Sequence, residues 1–317
     1  MEQQRLTAGD VESATRHLPG GAEPARLLEE KDRNQVFAVG EQAIFKAYLA
    51  DGTAKQARKI AALEFLAGRG LPVPRLLGHG VIPAGGGVPW TLESRVIAGH
   101  LRPSRGELGT PWGWELHRAL GRWLPALHAL GGFPSFGTWQ ADGPATLAGH
   151  VLPRAAAIRA EAAGLDGVPP GLVRRACQEL DRLEPAIRDA DWLQPRVLHG
   201  DYGTSNAAAG SDAGGRLEVT AVFDFESAAP GDPVEDFLWT ADHGLDSPIF
   251  QAFLDGYLTH GQLDPGAPER FAFYQLEHCL DILSWDHHGR PEYHDQALTL
   301  IEQGARRRPP AAGLTGP

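Results

Sequence analysis

The alternation of apolar and polar positions predicts a small sheet in the first hundred residues. Three runs, over 26–29, 35–39 and 43–48, are short, apolar and partly β-branched or aromatic, which is typical of strands joined by tight turns. Two further strands are predicted over 76–81 and 90–97, on either side of a segment rich in glycine and proline. These runs predict a small lobe built mainly from strands.

Two helices are predicted to accompany these strands. The first covers 8–18 and ends before a pair of glycines. The second covers 53–67, with Ala57, Ile60, Ala61 and the run 63–66 on its buried side and glycines after its end. The predicted order in this part of the chain is therefore β-β-β-α-β-β after a short lead-in helix.

Beyond residue 100 the apolar residues recur at helical spacing. The strongest pattern predicts an amphipathic helix over 114–130. Weaker patterns predict helices over 145–162, 171–190, 233–244, 248–260, 268–285 and 291–306. Two short β-like runs interrupt this helical part between Arg196 and Glu226.

Composition and charge narrow the class of protein. The 317 residues suggest about two domains, and 42% hydrophobic residues is ordinary for a globular chain. A formal charge of -11, from 29 basic and 40 acidic residues, gives no general attraction to nucleic acid or to anionic membranes. We therefore expect neither as a partner.

The two cysteines and the N-terminus indicate a cytoplasmic protein. Cys177 and Cys279 lie far apart and match no metal-ligand spacing. The N-terminus has no basic and apolar pattern of a signal peptide, and no run approaches the roughly 18 apolar residues of a membrane span.

Lysine is rare in this chain, because 25 of its 29 basic residues are arginines. The four lysines, Lys31, Lys46, Lys55 and Lys59, all lie near the N-terminus. Lys46 lies in an apolar run that is predicted to be a strand, on the same face as Ile44. A lysine in that position needs a specific explanation.

The segment between 196 and 226 carries polar residues that fit phosphoryl-transfer chemistry. His199, Asp201 and Asn206 follow an apolar pair, and Asp224 and Glu226 end a strand-like alternation. Asn206 and Asp224 offer the hard oxygen ligands that Mg²⁺ prefers in proteins. Asp201 can accept the proton of an attacking hydroxyl group.

This spacing resembles the aminoglycoside phosphotransferase family, the small-molecule branch of the protein-kinase-like fold that also contains choline kinases. The H-x-D-x-x-x-x-N motif of that family matches His199, Asp201 and Asn206, and its D-x-E or D-x-D motif matches Asp224 and Glu226. The stretches at 231–236 and 71–74 also resemble the family, and the resemblance covers about residues 27–285.

The resemblance implies an α+β, two-lobed protein-kinase-like fold and a nucleotide-dependent kinase. A small mixed β-sheet lobe over 1–97 would bind the nucleotide. A larger, mainly helical lobe over 98–306 would carry the catalytic loop and the substrate site, and 307–317 would be a flexible tail.

The resemblance also implies roles for the motif residues. Asp201 would be the catalytic base, His199 would brace its loop, and Asn206 and Asp224 would bind Mg²⁺. Glu226 would assist at the metal or at the substrate hydroxyl.

The phosphate donor would be ATP or GTP. Lys46 would contact its α- and β-phosphates. The purine would be received by backbone groups of four residues: Glu93, Ser94, Arg95 and Val96.

Three local features depart from the family pattern. Lys59 stands on the predicted helix where the family usually has a glutamate that pairs with the strand lysine, and Glu64 is the nearest acid. The segment 30–34, which would cover the phosphates, contains no glycine. The alanine run at 207–209 predicts a poor strand.

The acceptor side is expected among acidic residues of the C-terminal helices. Glu277 and Asp281 are four residues apart on one helical face, where like charges repel. A cationic ligand would offset that repulsion, although a solvated acidic face also explains it. The candidates for the substrate site are Glu235, Glu277, Asp281 and Asp286.

Several other polar residues have simpler interpretations. His128 lies beside an apolar helical stripe and is expected to be structural. The Asp286-His287-His288 run is not expected to bind a metal, because adjacent side chains point apart. Asp232 and Asp236 are expected to orient the catalytic loop.

The sequence therefore predicts an enzyme that transfers the γ-phosphoryl group of a nucleotide to a hydroxyl group of a small molecule. An antibiotic is the favoured acceptor, either an aminoglycoside or another compound with a sugar or nucleoside, which phosphorylation would inactivate. The alternatives are a primary-metabolite kinase for choline, homoserine or a sugar, and a catalytically weak nucleotide-binding pseudokinase.

Overall fold

The computed structural model describes most of the chain, in the ranges 5–19, 23–31, 33–49, 52–83, 87–96, 105–165, 168–241, 246–285 and 291–304. The chain forms two compact units. The sheet unit comprises 1–102 and 204–228, and the helical unit comprises 103–203 and 229–317.

The elements follow one another in the order α1 (Ala8–Thr15), β1 (Ala25–Glu30), β2 (Asn34–Val39), β3 (Ala43–Tyr48), α2 (Gly52–Leu66), β4 (Leu76–Ile82), β5 (Val88–Ser94), α3 (Arg105–Leu108), α4 (Pro111–His128), α5 (Leu147–Ala162), α6 (Pro170–Arg188), β6 (Arg196–Leu198), β7 (Ala207–Ser211), β8 (Leu217–Val222), β9 (Ala229–Gly231), α7 (Leu238–Ala241), α8 (Pro248–Leu258), α9 (Ala267–Trp285) and α10 (Pro291–Gly304). Short 3-10 helices cover Thr204–Asn206, Phe225–Ser227 and Pro233–Phe237.

The sheet unit is organised around five antiparallel strands in the order β1-β2-β3-β5-β4. Alternate residues of these strands form an apolar core that also includes Val11 of α1. Phe45 stacks on Trp90 there, with ring centroids 5.2 Å apart. Because side chains alternate along a strand, the residues next to Phe45 face the opposite side of the sheet.

Helix α2 has a polar buried face. Gln56 is buried and donates from Nε2 to the backbone oxygens of Gly80 (2.7 Å) and Trp90 (2.8 Å), and Lys59 is also buried. Ala57, predicted to face inward, is exposed. The predicted helix is confirmed, and Leu63 and Leu66 are buried as predicted. The prediction is wrong for Ala57, because two polar side chains occupy the interior instead and find partners there.

The hairpin of β7 and β8 completes the sheet unit. Its alanines at 207–209 are buried, so the expectation of a poor strand was wrong. Pairing with β8 outweighs the low intrinsic strand preference of alanine. The backbone N–H of Val222 donates to the carbonyl of Pro72 at 2.9 Å, which ties the hairpin to the extended connector after α2.

In the helical unit, α4 packs against α8 at two glycines. A Cβ at Gly121 would lie 2.0 Å from the carbonyl oxygen of Phe253, and one at Gly256 would lie 2.1 Å from that of Arg118. Only residues without a side chain allow the two backbones to approach this closely.

The rest of the helical unit is built around α9, which contacts α5, α6 and α10. Strands β6 and β9 pair, with Arg196 opposite Gly231. The single helix predicted over 233–244 is instead a 3-10 helix followed by α7, as far as residue 241. Among the described residues, no helix has both the length and the apolarity needed to cross a membrane.

Candidate active site

Lys46 lies on the face of the sheet opposite the apolar core. It is 5% exposed, and its Nζ donates to Oδ1 (2.8 Å) and Oδ2 (2.9 Å) of Asp224. It also pairs with Glu226. Burial alone would lower the pKa of Lys46, but the two carboxylates outweigh this effect and raise the pKa above its usual value. Lys46 is therefore a charged ammonium held by two acids.

These acids do not come from α2. Glu64, the nearest acid on that helix, is exposed. Asp224 and Glu226 lie 178 and 180 positions after Lys46 along the chain, and they reach it because the 204–228 segment belongs to the sheet unit.

The β7–β8 hairpin brings the two proposed metal ligands to the same end. Asn206 directly precedes β7, and Asp224 lies two residues after β8. Ala207 pairs with Val222, and the backbone N–H of Phe223 donates to the carbonyl of Asn206 at 2.9 Å. Adjacent strand ends thus carry an amide oxygen and a carboxylate.

Asp224 has a left-handed backbone, with φ 69° and ψ 51°. No other non-glycine residue in the described part of the chain has a positive φ. Such a conformation carries a cost of order 1 kcal/mol or more and is concentrated at functional sites. The donor set of Asn206 and Asp224 suits a hard divalent cation such as Mg²⁺.

Glu226 is held by ammonium groups. Besides Lys46, it accepts from Nζ of Lys55 at 3.1 Å, and its backbone oxygen accepts from Nε of Arg58 at 3.0 Å. The carboxylate is therefore oriented by two lysines of the sheet unit.

Lys59 forms a second buried ion pair. Its Nζ donates to Oε1 of Glu93 at 2.7 Å and lies 3.6 Å from Oδ1 of Asp224. Burial opposes the charge, but Glu93 and Asp224 contribute to a pKa of Lys59 that is well above its usual value. This pair was not predicted from the sequence. The available signal was a lysine in the same helical stripe as Leu63 and Leu66.

The segment proposed to receive the purine is partly engaged in the sheet. The backbone N–H of Ser94 donates to the carbonyl of Arg75 at 2.8 Å, and that of Arg95 donates to the carbonyl of Gln42 at 2.7 Å. The backbone N–H groups of Ser94 and Arg95 therefore already have partners within the sheet unit.

In the helical unit, β6 leads directly into the loop that carries the proposed base. His199 is fully buried and its Nδ1 accepts from the backbone N–H of Asp201 at 3.2 Å. Between them, Gly200 has a φ of 78°, which favours glycine. This contact supports the bracing role proposed for His199.

Asp236 holds the same loop from the other side. Its Oδ2 accepts from the backbone N–H of His199 (2.8 Å), and its Oδ1 accepts from that of Gly200 (2.7 Å). The Nε2 atom of His128 lies 3.0 Å from Oδ2, and its Nδ1 lies 3.1 Å from the hydroxyl of Tyr257. Both predictions are confirmed: Asp236 orients the loop, and His128 is structural.

Asp232 was predicted to orient the catalytic loop, but its hydrogen bonds are made with other residues. It is buried and accepts from Nε of Arg270 at 2.6 Å and from the hydroxyl of Tyr274 at 3.2 Å. It also accepts from the backbone N–H of Val234 at 3.4 Å. Asp232 thus caps the 3-10 helix that carries Asp236, and these contacts lie away from the loop itself.

Two of the proposed substrate acids share an arginine. Arg154 donates from Nε and Nη2 to the two oxygens of Glu277 (3.0 and 2.7 Å) and from Nη1 to Glu235 (3.2 Å). Burial, opposed by Arg154 and reinforced by Glu277, raises the pKa of Glu235 to about 7. The cation expected beside these acids is therefore a residue of this chain. Arg154 was missed because its local sequence resembles that of other helical arginines.

The two remaining substrate candidates differ in what the structure shows. Asp281 is half-buried on α9, and its backbone oxygen accepts from the hydroxyl of Ser284 at 2.8 Å. Asp286, His287 and His288 lie outside the described residues.

The sequence matches the model of the phosphotransferase enzyme family (APH) over residues 24–274, which include Lys46, Asp201, Asn206 and Asp224. The chain belongs to this family. No curated protein sequence matches this phosphotransferase.

Solved structures share its fold. The crystal structure of aminoglycoside phosphotransferase APH(4)-Ia is 20% identical, with a TM-score of 0.68 over 95% of this chain and 99% of that one. A thermostable mutant of that enzyme, in a ternary complex with ADP and hygromycin B, is 18% identical, with a TM-score of 0.68 over 95% and 98%. ADP-bound APH(2'')-Ib is 15% identical, with a TM-score of 0.60 over 95% and 99%.

At these identities the likeness shows the fold. The phosphotransferase has the protein-kinase-like α+β fold, with a sheet region near the N-terminus and a helical region towards the C-terminus. The predicted family and fold are thereby confirmed.

Proposed function

We propose that this phosphotransferase transfers the γ-phosphoryl group of ATP or GTP to a hydroxyl group of a small molecule, with Mg²⁺ as cofactor. One observation supports this best. The sheet unit places Asn206 and Asp224 at one end of a hairpin, with the buried ammonium of Lys46 2.8 Å from the carboxylate. Two oxygen ligands beside a lysine are the parts that a nucleotide phosphate site requires.

In this proposal, different residues of the chain perform different parts of the reaction. Asp201 accepts the proton of the acceptor hydroxyl, because a carboxylate in hydrogen-bond reach can act as a general base. His199 and Asp236 hold its loop through the contacts described above. Asn206 and Asp224 would hold Mg²⁺, which supplies neutralisation of the phosphate charge when bound.

Lys46 binds the α- and β-phosphates of the nucleotide in this proposal. Its present partners, Asp224 and Glu226, keep it charged and oriented. The backbone of residues 93–96 receives the purine. Glu226 serves chiefly to anchor Lys46 and Lys55, since both ammonium groups contact its carboxylate.

The acceptor that we propose is a sugar- or nucleoside-containing antibiotic. Arg154 already neutralises charge on Glu235 and Glu277, which weakens the case for an acceptor recognised through many ammonium groups. A sugar kinase of primary metabolism fits the same observation and is the second candidate. Inactivation of the antibiotic in the cytoplasm of the producing cell would be the physiological role.

The pseudokinase alternative loses one of its two supports. It rested on Lys59 in place of a helix acid, which left Lys46 without a partner, and on the segment 30–34, which contains no glycine. Lys46 has two acidic partners, and Lys59 has Glu93.

The test is an acceptor screen by mass spectrometry. Purified protein is incubated with ATP or GTP and Mg²⁺ together with nucleoside antibiotics, aminoglycosides, sugars, choline and homoserine. A product heavier by one phosphoryl group supports the proposal and identifies the acceptor. No product with any acceptor, together with no Mg²⁺-dependent nucleotide binding, would refute it.

Replacement of the base gives a sharper prediction. We expect Asp201→Asn to lower kcat by roughly 10²–10⁴-fold, the usual contribution of general acid–base catalysis, with an unchanged Kd for nucleotide. The control is Asp191→Asn, at an exposed aspartate of the same unit, which should behave like the wild type. Equal turnover in the two variants would rule out Asp201 as the base.

A further inference from the structure

Lys59 occupies a position where a charge is costly. It is 1% exposed on the inner face of α2, next along the helical stripe from Ala62, Leu63 and Leu66, which are also buried. A buried ammonium is tolerated only with close counter-charges. Glu93 supplies one at 2.7 Å and Asp224 supplies another at 3.6 Å.

The Lys59–Glu93 ion pair leaves one buried carboxylate oxygen without a hydrogen bond in the described part of the chain. Oε2 of Glu93 is buried and has no hydrogen-bond partner among the described residues. An apolar pair of similar volume would fill this space without an unpaired oxygen. The charges therefore need an explanation other than stability.

Lysines gather at this site in a chain that otherwise uses arginine. Three of its four lysines, Lys46, Lys55 and Lys59, contact Asp224 or Glu226. Lys46 and Lys59 approach the same oxygen, Oδ1 of Asp224. The carboxylate thus lies between an ammonium on β3 and an ammonium on α2.

We propose that Lys59 is a positioning residue that holds the Asp224 carboxylate in its metal-binding orientation. Glu93 fixes the ammonium of Lys59 from the strand side, so the ammonium stays in place when Lys46 turns to the nucleotide phosphates. The backbone of Asp224 is in the left-handed region, which is unfavourable for a residue with a side chain. A fixed positive charge beside the carboxylate opposes a change of this backbone to a more favourable conformation. This inference rests on the proposed function, in which Asp224 binds Mg²⁺.

Two single variants distinguish a positioning role of Lys59 from a purely structural role. Lys59→Met and Gln56→Met each remove a buried polar contact between α2 and the sheet, so a purely structural role predicts similar effects. The positioning role predicts different effects, because only Lys59→Met removes the ammonium beside Asp224. Arg16→Met is the control, since Arg16 is an exposed cation of the same unit at the end of α1.

The measurement is the affinity for ATP with and without Mg²⁺, by titration calorimetry, at a temperature where circular dichroism shows each variant folded. In Lys59→Met, we expect the enhancement of binding by Mg²⁺ to fall about tenfold, which corresponds to the loss of one charged contact. In Gln56→Met and Arg16→Met, the enhancement should stay within about twofold of the wild type. An equal loss in Lys59→Met and Gln56→Met, or no loss in Lys59→Met, would overturn the proposal.

A double variant covers the case in which Lys59→Met does not fold. Lys59→Met/Glu93→Gln leaves no uncompensated charge in the interior. Its Mg²⁺ enhancement should be as low as that expected for Lys59→Met, and a wild-type value would overturn the proposal.

Measurements on the wild type distinguish a failure of this inference from a failure of the proposed function on which it rests. A wild-type protein that shows no Mg²⁺-dependent nucleotide binding refutes the proposed function itself. Normal wild-type enhancement with a normal Lys59→Met variant refutes only the role of Lys59.

Discussion

Asp236 is the residue on which the catalytic loop depends most directly. Its carboxylate accepts from two consecutive backbone N–H groups, and His128 contacts the same carboxylate. Because the side chain is buried, a lost acceptor cannot be replaced by bulk water.

We therefore predict that Asp236→Asn lowers both stability and turnover. The amide keeps the shape but offers only one acceptor oxygen to three donors, so the free energy of unfolding should fall by roughly 1.5–3 kcal/mol. The loop carrying Asp201 loses an anchor, so kcat should fall while nucleotide affinity is kept. Urea unfolding and steady-state kinetics measure the two effects.

The control for this prediction is Asp255→Asn. Asp255 lies in the same unit with a side chain that is 66% exposed, and its variant should match the wild type. A kcat for Asp236→Asn equal to that of Asp255→Asn would contradict the anchoring role.

At the scale of residues, the sequence revealed the motif but not its ion pairs. Asp201, Asn206 and Asp224 were proposed from their spacing, and Lys46 was proposed as a rare lysine within an apolar strand. The partners of Lys46 could not be found, because they lie 178 and 180 positions away and no local pattern connects them. Charges that pair across such a separation become visible only when the chain is folded.

At the scale of elements, the contact of α4 with α8 depends on two glycines. We predict that Gly121→Ala destabilises the protein by at least about 1–3 kcal/mol, the usual cost of overpacking, because the added methyl group meets the backbone of Phe253. Thermal and urea unfolding measure the change.

Gly171→Ala is the matched control. Gly171 lies in α6, where a Cβ would meet only side-chain nitrogens of Arg174 and Arg175 at 3.8 Å. Alanine should be neutral there or stabilise by up to about 1 kcal/mol through its helix preference. Equal stabilities of the two variants would show that the helices separate without cost.

The periodicity of apolar residues predicted most helices and strands. It failed where contacts between elements determine whether a segment forms a strand or which helix face is buried. The alanines at 207–209 form a strand because β8 pairs with them. Part of the inward face of α2 was missed because Gln56 and Lys59 are polar, although hydrogen bonds and an ion pair hold them inside. A hydrophobic pattern contains no information about such partners.

At the scale of the whole molecule, two half-buried histidines make stability depend on pH. Burial, reinforced by the positive charge of Arg154, lowers the pKa of His150 and of His278 to about 4. In the unfolded chain both protonate near pH 6.5. As the pH falls from 6.5 towards 4, the unfolded state binds more protons than the folded state, so stability decreases.

Protonation of Glu235 has the opposite effect on the stability of the fold. Its pKa of about 7 is above the value of about 4.3 in an unfolded chain, so its proton uptake favours the folded state as the pH falls from 7. The histidine effect must therefore be isolated by comparing variants.

We predict that His150→Gln/His278→Gln loses less stability than the wild type between pH 7.5 and pH 5. Urea unfolding at the two pH values measures the difference. His79→Gln, at an exposed histidine, should show the pH dependence of the wild type. If the double variant shows that dependence as well, the two histidines do not resist protonation in the fold.

The discontinuous sheet unit has a consequence for synthesis of the protein. Its first part is complete at residue 102, but residues 204–228 must leave the ribosome before the unit can close. At usual elongation rates, the 126 residues from 103 to 228 take roughly 6–25 s to translate. During that interval the nascent chain carries Lys46 without the two acids that neutralise it, so this part of the molecule can mature only late in translation.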